Sequence, residues 1–83
     1  MAEIKGFRAD MLKKAMKENE ATIEDIAKSL QEEFGCTDME FAYACAETYT
    51  YADNCNIPTL DLYAICKAVN VSADYLLGLS DEM

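Results

Sequence analysis

The sequence predicts an all-α fold of five helices, and three kinds of observation carry that prediction. Apolar residues recur three and four apart in every segment, the spacing of a helix with one buried side. Capping signatures stand at Thr22, Thr37 and Ser72, and stop signals stand at Gly35, Asn70 and Gly78. The 83 residues, 52% hydrophobic and 28% charged, have the composition of an ordinary globular chain. One domain over residues 1–83 is expected, with a short tail at 79–83. A chain of this size buries roughly 60–65% of its unfolded surface, enough for one core.

In the first helix, over "FRADMLKKAMKE", Phe7, Met11 and Ala15 fall four apart, with Leu12 and Met16 one step round. Asn19 and Glu20 interrupt it. Thr22 followed by Asp25 resembles a capping box and opens a second helix, whose inward stripe is Ile23, Ile26, Ala27, Leu30 and Phe34. Gly35 ends it. Thr37 with Glu40 repeats the capping signature before a third helix from Asp38 to about Ala52. Its expected inward stripe is Phe41, Ala44, Cys45, Thr48 and Ala52. "ADNCNIP" reads as a loop, because Pro58 disfavours helical angles in the residue before it. A fourth helix from about Thr59 turns Leu62, Ile65, Cys66 and Val69 inward. "VSADYLLG" is a short fifth helix capped by Ser72. The expected core is Ile26, Leu30, Phe41, Leu62, Ile65, Val69 and Leu76.

Several function classes find little support. No apolar run approaches the roughly 18 residues that span a membrane, and the N-terminus lacks a signal-peptide apolar stretch. A cytoplasmic protein is expected. Cys36, Cys45, Cys55 and Cys66 are spaced by nine, ten and eleven residues, which fits no paired zinc motif, and the chain has no His. Free thiols, no metal and no cofactor are expected. Without His, a phosphate-binding Gly loop or a nucleophile elbow, no enzyme is expected.

The net charge of −9 is unevenly spread: residues 1–17 carry +3 and residues 18–83 carry −12. Such polarity concerns partners rather than fold.

Two blocks carry a family resemblance. "IPTLDLYAICKAVNVSADYLLGLSDEM" resembles the closing helix pair of Cro and phage-repressor type helix-turn-helix proteins, the Xre family. "FRADMLKKAMKENEATIEDIAKSL" is similar to that family's first helix and Thr-begun second helix. Together they cover about 51 of the 83 residues. The resemblance implies a compact, lambda-repressor-like five-helix domain and a transcriptional regulator whose third helix enters the DNA major groove. The departure lies at that helix. The stretch from Leu30 to Pro58 is about ten residues longer than the family's usual spacing.

With Phe41, Cys45 and Thr48 inward, the expected contact face is Tyr43, Glu47, Thr50 and Asn54, flanked by Glu40 and Ala46. Thr22 and Asn56 complete the candidate contact set, and Arg8, Lys13 and Lys17 are candidates for the phosphate backbone. Double-stranded DNA is the partner the resemblance implies. The charge supports an alternative, because residues 29–66 contain no Lys or Arg at all. DNA affinity rests on neutralised phosphates, roughly six to ten contacts in a usual complement. The alternative keeps the fold and changes the partner to a basic protein, as a DNA mimic or inhibitor of phage or mobile-element type would. Tyr43, Tyr49 and Tyr51 suit such an interface. A homodimer through Tyr75, Leu76, Leu77, Leu79 and Met83 would cover apolar surface that one short helix cannot.

Overall fold

Five helices form, in a computed structural model that describes residues 6–35, 38–53, 57–80 and 82. They are α1 (Ala9–Glu18), α2 (Ile23–Phe34), α3 (Met39–Tyr51), α4 (Thr59–Val69) and α5 (Ala73–Leu76). No strand occurs among the described residues. No helix among them is long and apolar enough to cross a membrane.

Local sequence explains most helix ends. Thr22 Oγ1 accepts the Asp25 amide at 3.2 Å while the Asp25 carboxylate accepts the Thr22 amide at 2.9 Å, the reciprocal pair the sequence predicts. Gly35 ends α2 in the left-handed region at φ 64°. Ser72 caps α5 by accepting the Tyr75 amide. The cap of α3 is Asp38, which accepts the Phe41 amide at 3.3 Å. The expected cap, Thr37, lies outside the described residues.

The start of α1 is capped from a distance. Arg8 makes no side-chain cap bond. The Ala9 amide instead donates to the Asp53 carboxylate at 2.8 Å, so the end of α3 supplies the anion at the positive end of α1. Such a cap contributes about 1 kcal/mol. At the other end the Ala21 amide returns to the Met16 carbonyl, with Glu20 held at φ 54°. That left-handed position normally belongs to Gly. Asn19 then donates to the Val69 carbonyl at 2.7 Å and joins the ends of α1 and α4.

The core gathers Phe7 from the segment before α1 and Leu12, Ile26, Ile65, Val69, Tyr75 and Leu76 from every helix except α3, which adds Ala42, Ala46 and Tyr49. Phe7 and Tyr49 meet edge to face, with centroids 5.6 Å apart. Ser29, buried in α2, donates to the Ala64 carbonyl of α4 at 2.7 Å, satisfying its hydroxyl without water. The Arg8 amide donates to the Leu76 carbonyl and ties α5 to the start of α1. Because Tyr75 and Leu76 are core residues, the apolar surplus expected at the C-terminus shrinks to half-buried Leu77 and exposed Leu79 among the described residues.

Of the expected core, Ile26, Leu30, Ile65, Val69 and Leu76 are buried and Leu62 is half-buried. Phe41 is a correction: it is 64% exposed. The whole of α3 is rotated from its expected setting. Ala44, Thr48 and Ala52, expected inward, are exposed, and Cys45 is half-buried. The cause is the packing of α3 against both α1 and α2. Small Ala42 and Ala46 let the backbones approach, whereas a Phe on that side would hold them apart.

Candidate functional site

The rotation of α3 redraws the candidate contact face. Ala46 and Thr50, expected to face a partner, are buried. The Thr50 hydroxyl donates to the Ala46 carbonyl of its own helix at 2.8 Å, so it has nothing to offer a base edge. Tyr43 and Glu47 are exposed as expected. Asn54 and Asn56 lie outside the described residues. What α3 presents to solvent is Glu40, Phe41, Tyr43, Ala44, Glu47, Thr48 and Tyr51. Ala44, Glu47, Thr48, Tyr51 and Ala52 line one open surface depression on that side.

The basic residues are placed unevenly around this face. Lys13 of α1 lies over the Tyr51 ring at 5.1 Å, which sets one cation against the far end of α3. Lys14 and Lys17 are exposed on the same helix. Arg8 is half-buried, and its guanidinium is taken by Asp10 at 3.1 Å. Thr22 is exposed, but its hydroxyl is committed to the α2 cap. It stands at the opposite end of α2 from Phe34, roughly 18 Å away along a twelve-residue helix. Lys28 pairs with Glu24 at 3.6 Å and Lys67 with Glu33 at 2.9 Å. Its bond to Glu33, together with that carboxylate's charge, raises the Lys67 ammonium further above its ordinary value.

Sequence reasoning missed a cleft between α2, α3 and α4. Leu30, Phe34, Phe41, Ala42, Cys45 and Asp61 line a space of about 230 Å³. Phe34, 50% exposed, and Phe41 stand at its rim from two different helices. On α4, the helix that contributes Asp61, Leu60 and Tyr63 are exposed as well. Asp61 is held in place by the Tyr49 hydroxyl, which donates to it. Burial first, then that hydrogen bond and the Asp61 charge, push the Tyr49 phenol well above its ordinary value, so it remains a neutral donor. Burial also pushes up the Cys66 thiol.

Seven carboxylates and no cation occur between Ser29 and Cys66, the span containing all of α3 and its surroundings on α2 and α4. The face is therefore acidic, aromatic in part, and next to an apolar cleft. No family model matches the chain, and no curated protein or solved structure matches it.

Proposed function

We propose that this chain is a small binding module, with the five-helix arrangement of a helix-turn-helix domain, that docks a basic protein surface through α3 and the adjoining cleft. The observation that supports this most is the composition of the exposed side of α3. The residues left outward include two carboxylates, Phe41, Tyr43 and Tyr51 beside Ala44 and Thr48, while Thr50 is turned into the core. Exposed aromatic side chains beside an apolar depression are what protein interfaces are made of. Exposed acids around them favour a cationic partner and speed its arrival. Surfaces that bind nucleic acid belong to that partner class, so a DNA mimic or an inhibitor of a nucleic-acid-binding enzyme is the form expected. The chemistry required is binding alone, with no catalytic step and no cofactor.

A DNA-binding regulator is the second reading, and the lysines of α1 favour it. Lys13, Lys14 and Lys17 form no ion pair with another described residue and could touch one flank of a duplex. Three contacts fall well short of roughly six to ten. Asp38, Glu40 and Glu47 would each oppose a phosphate by on the order of 1 kcal/mol at 4 Å in water. That sum equals or exceeds the roughly 1–3 kcal/mol of one good base contact.

Duplex binding at low salt tests the choice. No binding is expected at about 50 mM salt, where phosphate contacts are strong. Micromolar binding of any duplex, with resonance shifts on α3, would make the regulator the correct function.

A further inference from the structure

We infer that the cleft between α2, α3 and α4 is an arginine-anchor site, taking one Arg side chain of the basic partner with its stem on Phe34 and Phe41 and its guanidinium on Asp61. This rests on the protein-docking function proposed above and names the group that would be recognised.

Size and lining together select that occupant. About 230 Å³ is below the range of pockets that enclose a drug-sized ligand, and fits a single long side chain. Five of its six lining residues are apolar or a thiol, and the sixth is a carboxylate. A purely apolar anchor would leave Asp61 desolvated with its charge unmet, which is costly. A Lys or Arg side chain matches both parts, because its stem packs on apolar surface while its head stays polar. Arginine is the better match, since its planar guanidinium stacks on aromatic faces and binds a carboxylate through two donors. Tyr49 donates to a single Asp61 oxygen, Oδ2. A carboxylate has about four acceptor positions, so capacity for the guanidinium remains.

Among the described residues no cation forms an ion pair with Asp61. Lys67 is the nearest along α4 and is already held by Glu33. Asp38 and Glu40 at the start of α3 add negative charge at the side of Phe41. Tyr49 fixes Asp61 before any partner arrives, which lowers the ordering cost of binding.

The test uses the whole chain, isotope-labelled, titrated with a lysine-faced helical host peptide bearing Arg, Leu or Gln at one central position. The Arg peptide should bind tightest and shift Ala42, Cys45 and Asp61. Asp61→Asn keeps an acceptor for Tyr49 and should weaken the Arg peptide about tenfold, the value of one charge-assisted bond, while leaving the Leu peptide unchanged. Phe41→Ala, at an exposed site, should weaken the Arg peptide about threefold. Equal binding of the Arg and Leu peptides, or indifference of the Arg peptide to Asp61→Asn, overturns the arginine site. If all three peptides shift Glu40 and Glu47 but not the cleft, the docking face stands and the anchor falls. If none binds while duplex DNA does, both fall together. Self-association abolished by replacing Lys13, Lys14 and Lys17 with Gln would seat a second copy in the cleft and overturn the separate partner.

Discussion

Phe41→Ala and Ala46→Leu perturb two sides of α3, and their relative cost measures which side faces the core. Phe41 is 64% exposed, so about a third of it is covered. Fully burying a Phe is worth up to about 3 kcal/mol, which puts the loss on truncation near 1 kcal/mol. A Phe truly in the core would cost about 3–5 kcal/mol on the same change. Ala46 is 0% exposed, between α3 and its neighbours. Adding three carbons there overpacks the contact, typically at about 1–3 kcal/mol and sometimes more. Urea denaturation of both variants gives the two values, with the slope checked for unchanged cooperativity. Phe41→Ala should remain close to wild type and Ala46→Leu should be the more damaging. A Phe41→Ala loss above about 3 kcal/mol with Ala46→Leu tolerated would place the helix in the opposite setting and dismantle both the cleft and the docking face.

Two further outcomes follow from single side chains. The Tyr49 phenol is raised above its ordinary 10.0, so its neutral form is favoured by folding. That stability is complete below about pH 10 and is lost as the unfolded phenol ionises above it, at up to about 1.4 kcal/mol per pH unit. Urea midpoints of wild type should therefore fall faster than those of Tyr49→Phe above about pH 10, and parallel curves would deny the burial. Glu20→Gly should stabilise the fold by about 0.5–1 kcal/mol, because Glu20 occupies a left-handed position that costs a side-chain residue more than Gly. A lower melting temperature for that variant would show that the turn gains more from Glu20 than from conformational freedom.

How much of this was legible in the sequence depended on range. The capping pair of Thr22 and Asp25, the Ser72 cap and the stops at Gly35 and Asn70 were readable because each is settled within a few residues. The stripes of α2 as far as Leu30 and of α4 were readable because polar residues mark their outer sides, whereas Phe34, expected inward at the end of α2, is 50% exposed. In α3 the apolar residues encircle the helix, and the stripe of Phe41, Ala44, Cys45, Thr48 and Ala52, spaced three and four apart, points the wrong side inward. The better markers were Glu40, Ala44, Glu47 and Tyr51, spaced four, three and four apart, which lie together on the exposed side. They leave small Ala42 and Ala46 with Tyr49 on the opposite side, as observed. The Asp53 cap of α1 and the cleft joining Phe34, Phe41 and Asp61 depend on residues far apart in sequence. No local pattern announces them.

The most direct measurement of the docking face is the double substitution Glu40→Gln with Glu47→Gln, both exposed on α3. It is assayed in parallel against duplex DNA and the lysine-faced helical peptide carrying Arg. If α3 meets a basic protein surface, the variant should bind the peptide more weakly than wild type, mostly through slower association, and neither form should bind the duplex. If α3 instead meets DNA, removing two charges that oppose phosphates should tighten duplex binding and steepen its fall with salt, while the peptide result is unchanged. The first pattern is the one expected, and the second would contradict the proposed function.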